Sequence, residues 1–400
     1  MDINQKGEKM KYFSKPFETK RMKNEEELRQ YFSFRNKNDK TELMDPEEIR
    51  ILDIPNDAPI LHQETEAHYG VEIPDQVYTD ADSDTGLLFK KGNEVLPIMF
   101  TAIPGLAARS GVYGETLMTR KASSTREALP MYVRGEIFTS CLHTYKHKVN
   151  VLKRDDSIAR IASELYADLS AEEGYEITKA YLEKTYSGCE FKGAECSAEY
   201  LYAMLKPSQV DLSDLEYRLK NRYKASLFVR FSTSDVTNSK MRVMPMIELK
   251  KENDSKGAMI PIDGSNPIEI EHIAGNTPDR LEEKLPNMAK LLNAAEDDVE
   301  RLGNTQIKHV CGCLQHVTRG FTGLSKKSVL GTIRKELGGS SDHEGTAIDV
   351  YMLILDSINL QCETGNGLLV KDFVQLTERA AGYLGRDFSK FDKSLEETDE

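Results

Sequence analysis

From Ala198 to Gly275 the chain repeats one pattern five times: a short apolar run, then a cluster of Pro, Gly, Asn or Asp. The runs are AEYLYAML, KASLFVRFST, MRVMPMIEL, GAMIPID and PIEIEHIAG. Segments of that length, rich in β-branched and aromatic residues and bounded by turn formers, predict a series of antiparallel strands. At Gly275 the period changes. Leu281, Leu285, Met288, Leu292, Ala295, Val299 and Leu302 lay one apolar stripe along a helix, with Thr277 placed to cap it, Pro278 at its first position and Pro286 to kink or split it. Further helices are predicted from about Thr346 to Leu360 and from Lys371 to Leu384, with Gly365 and Gly367 in the turn between them. The fold class is therefore α+β, a β-rich central region with antiparallel strands followed by a helical C-terminal third.

Four regions follow from the same reading. Residues 1–43 are a polar, partly flexible arm in which FETKRMKNEEELRQYF predicts a short helix. Residues 44–275 are the β-rich core, with an intervening helix near 156–186 carried by Ile158, Ile161, Leu165, Leu169, Ile177 and Tyr181. Residues 276–390 are helical, and 391–400 form an acidic tail. Within the core, Asp45 to Asp84 holds twelve acids and one base and reads as loops and short edge strands. VLPIMFTAI reads as a buried strand, and MYVRGEIFTSCLHTYKHKVNVL as one or two long strands that set Cys141, His143, Tyr145 and His147 on one face.

With 39% hydrophobic residues, 400 residues are enough to bury a sizeable core, which excludes wholesale disorder. The six cysteines form no CxxC pair, so neither a disulfide framework nor a zinc ribbon is signalled. The start MDINQKGEKMKYF has no apolar run of a signal peptide. The longest apolar stretch, Leu96 to Ala108, is interrupted by Pro97 and Pro104 and falls well short of the ~20 residues of a membrane helix. The expectation is a soluble protein of a reducing compartment, without a membrane partner.

The formal charge is −13, yet two windows are strongly basic. Pro104 to Arg154 has nine Lys/Arg against three acids, and Tyr217 to Lys251 has nine against two. Both are threaded with aromatics: Tyr113, Tyr132, Phe138 and Tyr145 in the first, Tyr217, Tyr223, Phe228 and Phe231 in the second. A groove that tracks single-stranded nucleic acid needs cations along the phosphates and flat side chains under the bases. On that reading Arg218, Lys220, Arg222, Lys224, Arg230 and Arg242 line one wall. Arg120, Lys121, Arg126, Arg134, Lys146 and Lys148 line the other, with Tyr132, Tyr145 and Tyr223 for stacking. If YRLKNRYK is a strand, its four bases all point the same way, and four like charges on one exposed face are costly without a partner. The bland alternative is aromatics for core packing and cations for solubility.

Other constellations are weaker. His309, Cys313 and His316 fall at i, i+4 and i+7, metal-ligand types on one helix face with Cys311 nearby, but without the paired motif of a zinc site. Asp80, Asp82, Asp84 and Gly86 alternate like a calcium loop, yet the glycine comes one place late and position twelve is Lys91. GFTGLSKKS lacks the glycine before the lysine of a phosphate loop, and no HExxH or GxSxG occurs. No cofactor is expected and no catalytic residue is assigned.

From about Tyr186 onward, the β-segment LFVRFSTSDVTNSKMRVMPMIEL is followed by His272, Gly275 and Asn276. Arg280, Leu281, Glu282 and Glu283 come next, and Gly345, Thr346 and Ala347 open a later helix. That order resembles the phage- and plasmid-borne family known as domain of unknown function 932, over about half the chain. The resemblance implies a mobile-element origin and a bacterial host cytoplasm, and it supplies no catalytic residues. The function expected is a phage or mobile-element protein that binds single-stranded DNA or RNA, as a homo-oligomer, for annealing or protection in recombination or replication. Two alternatives stay open: a structural or assembly protein whose opposite charge blocks associate, and a metal-dependent nuclease, for which the second window offers only Asp235 and Glu248.

Overall fold

A computed structural model describes residues 11–13, 18–53, 87–112, 133–236, 240–251, 257–264, 267–364 and 370–396. Arg120, Lys121, Arg126, Tyr113 and Tyr132, the Asp80–Gly86 run and the Gly365–Gly367 turn lie outside the described residues. Strand β1 (Lys20–Met22) leads to α1 (Glu25–Asn38), β2 (Lys40–Met44) and β3 (Ile49–Asp53). Then come β4 (Leu87–Lys91), β5 (Glu94–Pro97), α2 (Ile103–Ser110), α3 (Val133–Leu142), β6 (Val149–Arg154) and β7 (Ser157–Ser163). Helix α4 (Ala171–Thr185) precedes β8 (Cys189–Cys196), β9 (Leu201–Pro207), the short α5 (Ser213–Arg218), β10 (Tyr223–Thr233), β11 (Met241–Lys251), β12 (Ala258–Pro261) and β13 (Ile268–Ile270). The last third runs through α6 (Arg280–Lys284), α7 (Asn287–Asn304), β14 (Gln306–Ile307), α8 (Val310–Val317), α9 (Lys326–Leu337), β15 (Gly345–Thr346), α10 (Ala347–Thr364) and α11 (Val370–Ala381).

The α+β class and the helical C-terminal third are as the sequence predicts. The main sheet is antiparallel in the order β1-β8-β9-β10-β11-β12, with β13 also on β11. Its central pair runs from Tyr223 opposite Lys251 to Ser232 opposite Arg242. Leu227, Val229 and Phe231 face the large core, where Gly174 lets α4 settle on Phe231 and Met241. The opposite face carries Phe228, Met244 and Met246, and α11 covers this side through Thr377, which accepts from Arg230. The predicted helix after Thr277 is split at Pro286 into α6 and α7.

Two smaller sheets, β2-β6-β7 and β3-β4-β5, enclose a second core with α2 and α3. Gly105 makes this packing close, because a Cβ there would sit 1.9 Å from the Ile161 carbonyl oxygen on β7. The 1–43 region is not a free arm where it is described. Strand β1 pairs with β8, β2 pairs with β6, and α1 is capped by Asn24, whose side chain accepts from the Glu27 amide at 2.9 Å.

Three local expectations are corrected. Residues 133–142 are helical rather than extended: Phe138 and Leu142, four apart and fully buried, mark the inward face, so Cys141, His143, Tyr145 and His147 share no strand. The helix expected from 156 starts only at Ala171, and 157–163 is β7. Asp155 and Asp156, both at positive φ, make the two-residue turn between β6 and β7, a role Asp tolerates. The expected strand over 217–224 is the end of α5 followed by a turn with Lys220 and Asn221 in the left-handed region, and β10 begins only at Tyr223.

The two cores meet at a line of charges whose arginines are buried. Arg154, at the end of β6, is 2% exposed; it donates from Nε to Asp39 at 2.9 Å and from Nη1 to Asp235 at 3.0 Å, and its Nη2 reaches both carboxylates. Arg35 of α1 holds Asp155 at 3.0 Å and Asp39 at 3.3 Å, and Arg160 of β7 holds Asp168 at 2.6 Å and the Asp235 backbone oxygen. Burial pushes the Asp235 carboxyl up, but the Arg154 charge and hydrogen bonds, with Arg160 and Arg35, outweigh it and hold the carboxyl well below its usual range. Removing one member of such a pair strands the other, so Arg154→Ala is expected to lower the unfolding free energy by about 3–5 kcal/mol in urea titrations. Asp235 binds its proton more readily in the unfolded chain. Its stabilisation is complete above the unfolded value near pH ~4 and fades as pH falls toward the folded one; Asp235→Asn flattens that acid limb.

Candidate nucleic-acid interface

The second basic window does not form an open wall. Arg218 is ringed by Asp214 at 3.2 Å, Glu296 at 2.7 Å, Asp297 at 3.2 Å and Glu300 at 3.0 Å, the last three from α7. Lys224 pairs with Glu216 at 2.9 Å, and Arg222 donates to the Leu219 and Gly303 carbonyl oxygens. Arg230 is 1% exposed, between Thr377, the Met244 sulfur and Glu378. Arg242 meets Asp263 at 2.8 Å and Glu378 at 3.2 Å. Tyr223 is buried with its hydroxyl donating to Asp349 at 3.1 Å, so it stacks no base. Phe228 and Phe231 are core residues. What reaches solvent is the α5–β10 turn, with Tyr217 at 74% exposure, Lys220, Arg222 and Lys224, and acids of α5 and α7 pair with Lys224 and with Arg218 beside it.

The first window is different. Arg134 is buried in α3. Lys146 and Lys148 are exposed on the turn that joins α3 to β6, and among the described residues neither makes an ion pair. Tyr145, between α3 and these lysines, is half-buried. Arg109, the basic residue of the last turn of α2, lies with its guanidinium carbon 5.7 Å from the Tyr145 ring centre and donates to its hydroxyl at 3.3 Å. His147 leans on Tyr145 with ring centres 5.7 Å apart and meets Glu164 at 3.2 Å. His143 contacts the Ile49 carbonyl oxygen at 2.8 Å, which ties the turn to β3. Among the described residues expected to form the groove, Tyr145, Lys146 and Lys148 lie together on one accessible turn, with Arg109 against the ring, while Lys220, Arg222 and Lys224 are exposed on the separate α5–β10 turn.

His309, Cys313 and His316 do not converge. The Cys313 thiol points to the Phe388 carbonyl oxygen, His316 to Ser394 and Glu396, and His309 precedes α8 with its amide on Asp392. Cys311 instead faces Asp342 and His343, a grouping that comes from a loop 31 residues downstream and leaves no spacing signal. Ser325 caps its own helix, α9, by accepting from the Ser328 amide at 3.1 Å. Asp235 is engaged by Arg154 and Arg160, which removes it as a nuclease carboxylate.

Beside the charge line is a small polar cavity walled in part by Tyr31, Arg154, Glu199, Thr233 and Asp235, with room for only about one water. Glu199 is 5% exposed; one carboxylate oxygen accepts from Lys371 at 3.3 Å and the other has no hydrogen-bond partner. Burial raises its carboxyl above the usual range, with Lys371 offsetting only part of that. A raised acid favours folding below the unfolded value and loses that contribution as pH rises through the folded one. Glu199→Gln is accordingly expected to match or exceed the parent in thermal unfolding at pH 8, by up to about 1–3 kcal/mol, with the difference vanishing in acid. No protein-family model, no curated protein and no solved structure matches this chain.

Proposed function

We propose that the protein binds single-stranded nucleic acid through the turn 143–148, as a phage or mobile-element factor that anneals or protects strands in the host cytoplasm. The observation that carries this reading is the setting of Tyr145: a partly open ring held by Arg109 and followed by two exposed lysines. A base stacked on the ring contributes ~1–3 kcal/mol, and the cations beside it meet the flanking phosphates. The mobile-element origin rests on the resemblance of the order of features to domain of unknown function 932. Among the described residues no helix is long and apolar enough to cross a membrane.

Three cations make a modest contact. With Arg109, Lys146 and Lys148 on a single strand, the logarithm of affinity should fall with the logarithm of salt at a slope of about −2. A homo-oligomer that presents several such turns to one strand raises the avidity without any new contact.

Fluorescence anisotropy with a labelled single strand of roughly thirty bases, titrated across salt, tests the reading. Lys146→Glu with Lys148→Glu is expected to weaken binding by about tenfold or more and to flatten the salt slope. Tyr145→Ala is expected to weaken it by about fivefold to a hundredfold. Lys220→Glu with Lys224→Glu leaves it within about twofold, since Lys224 is already paired with Glu216 and Arg218 beside it with four acids. No binding by the parent chain at low salt, or loss only with the second pair, overturns the proposal.

A further inference from the structure

We infer that Cys311, Asp342 and His343 form a zinc-class metal site that ties the start of α8 to the loop between α9 and β15. Their donor atoms, one thiol sulfur, one carboxylate oxygen and one ring nitrogen, all lie within 4.8 Å of one another. In a tetrahedral site with metal–ligand bonds of ~2.0–2.3 Å, donors stand roughly 3.5 Å apart, so the three need to close by only about an ångström.

The local backbone already holds two of them in place. The Val310 amide donates to the His343 carbonyl oxygen at 3.1 Å, which docks the loop on the helix start. The Asp342 carboxylate accepts from the Cys311 amide at 2.8 Å, the Gly312 amide at 2.9 Å and the His343 amide at 2.9 Å. Capping explains Asp342, since any helix start welcomes a carboxylate. It does not explain why the side chains brought against that carboxylate are a thiol and an imidazole, which capping does not use.

Burial is graded across the trio: Cys311 is buried, Asp342 half-buried and His343 exposed. A metal there is enclosed on the helix side and open on the other, where Glu336, 3.5 Å from His343 Nε2, or a water supplies the fourth ligand. The donor set decides the class of ion. A thiolate with an imidazole suits zinc and its neighbours, whereas calcium and magnesium take oxygen ligands. The role is structural. It clamps α8 to the β14–β15 ribbon, in which Ile307 pairs with Gly345.

Cobalt(II) titration of the chelator-treated full chain tests the assignment. One equivalent is expected to give a sulfur-to-cobalt charge-transfer band that zinc abolishes by displacement. Cys311→Ser removes the band, Cys313→Ser retains it, and His343→Ala, at an exposed position that folding does not need, weakens cobalt binding by about tenfold or more. Zinc is also expected to raise the thermal midpoint of the parent chain and not that of His343→Ala. No charge-transfer band in the parent, or a band unchanged in both Cys311→Ser and His343→Ala, overturns the site.

Discussion

Arg154 is the residue on which the two halves of the molecule depend. Its guanidinium sits between Asp39, just after α1, and Asp235, just after β10, and it ends β6, whose Val149 and Val151 belong to the second core. Apolar packing on either side is non-directional and would allow the small sheets to slide over the large one. A planar fork bonded to two carboxylates does not, because each hydrogen bond has a fixed direction and a displaced carboxylate leaves the buried guanidinium without its partner. The flanking pairs, Arg35 with Asp155 and Arg160 with Asp168, extend the same constraint along the junction. The turn 143–148 leads directly into β6, so the element that ends at Arg154 also fixes where Tyr145 and its lysines emerge.

Charge read along a chain and charge presented by a fold are different quantities. The window 217–251 carries a large positive excess in sequence, and Arg218, Lys224, Arg230 and Arg242 find acids from α5, α7, α11 and the β12–β13 region. The exposed pairs among them, such as Lys224 with Glu216, contribute little stability each. Their larger effect is to cancel the potential that a polyanion, or an acidic face of another copy, would meet. Lys146 and Lys148, which make no ion pair among the described residues, sit on the turn between α3 and β6.

Much of the architecture was legible in the residues. The strand runs of 198–275, the split at Pro286 and the helices near Thr346 and Lys371 are local patterns, and local patterns survive folding. The errors share one cause. In 133–142 aromatic and β-branched residues imitate a strand, while the burial that decides for a helix, Phe138 and Leu142 on one side, depends on β3 and α2 folding back from elsewhere. The Asp155–Asp156 turn was readable as a hairpin signal and went unread beneath an apparent helical period. Of the candidate surface, Tyr145, Lys146 and Lys148 were legible, whereas Arg109 joins them only through the contact of α2 with α3. Cys311, Asp342 and His343 are brought together by tertiary structure alone.

Ultraviolet crosslinking of a thymine-rich single strand to the full chain, followed by peptide mapping, tests most directly whether the fold leaves one nucleic-acid contact and cancels the other. Adducts concentrated on the peptide that contains Tyr145 are expected. Adducts concentrated between Tyr217 and Lys251, or none at low salt, would contradict it.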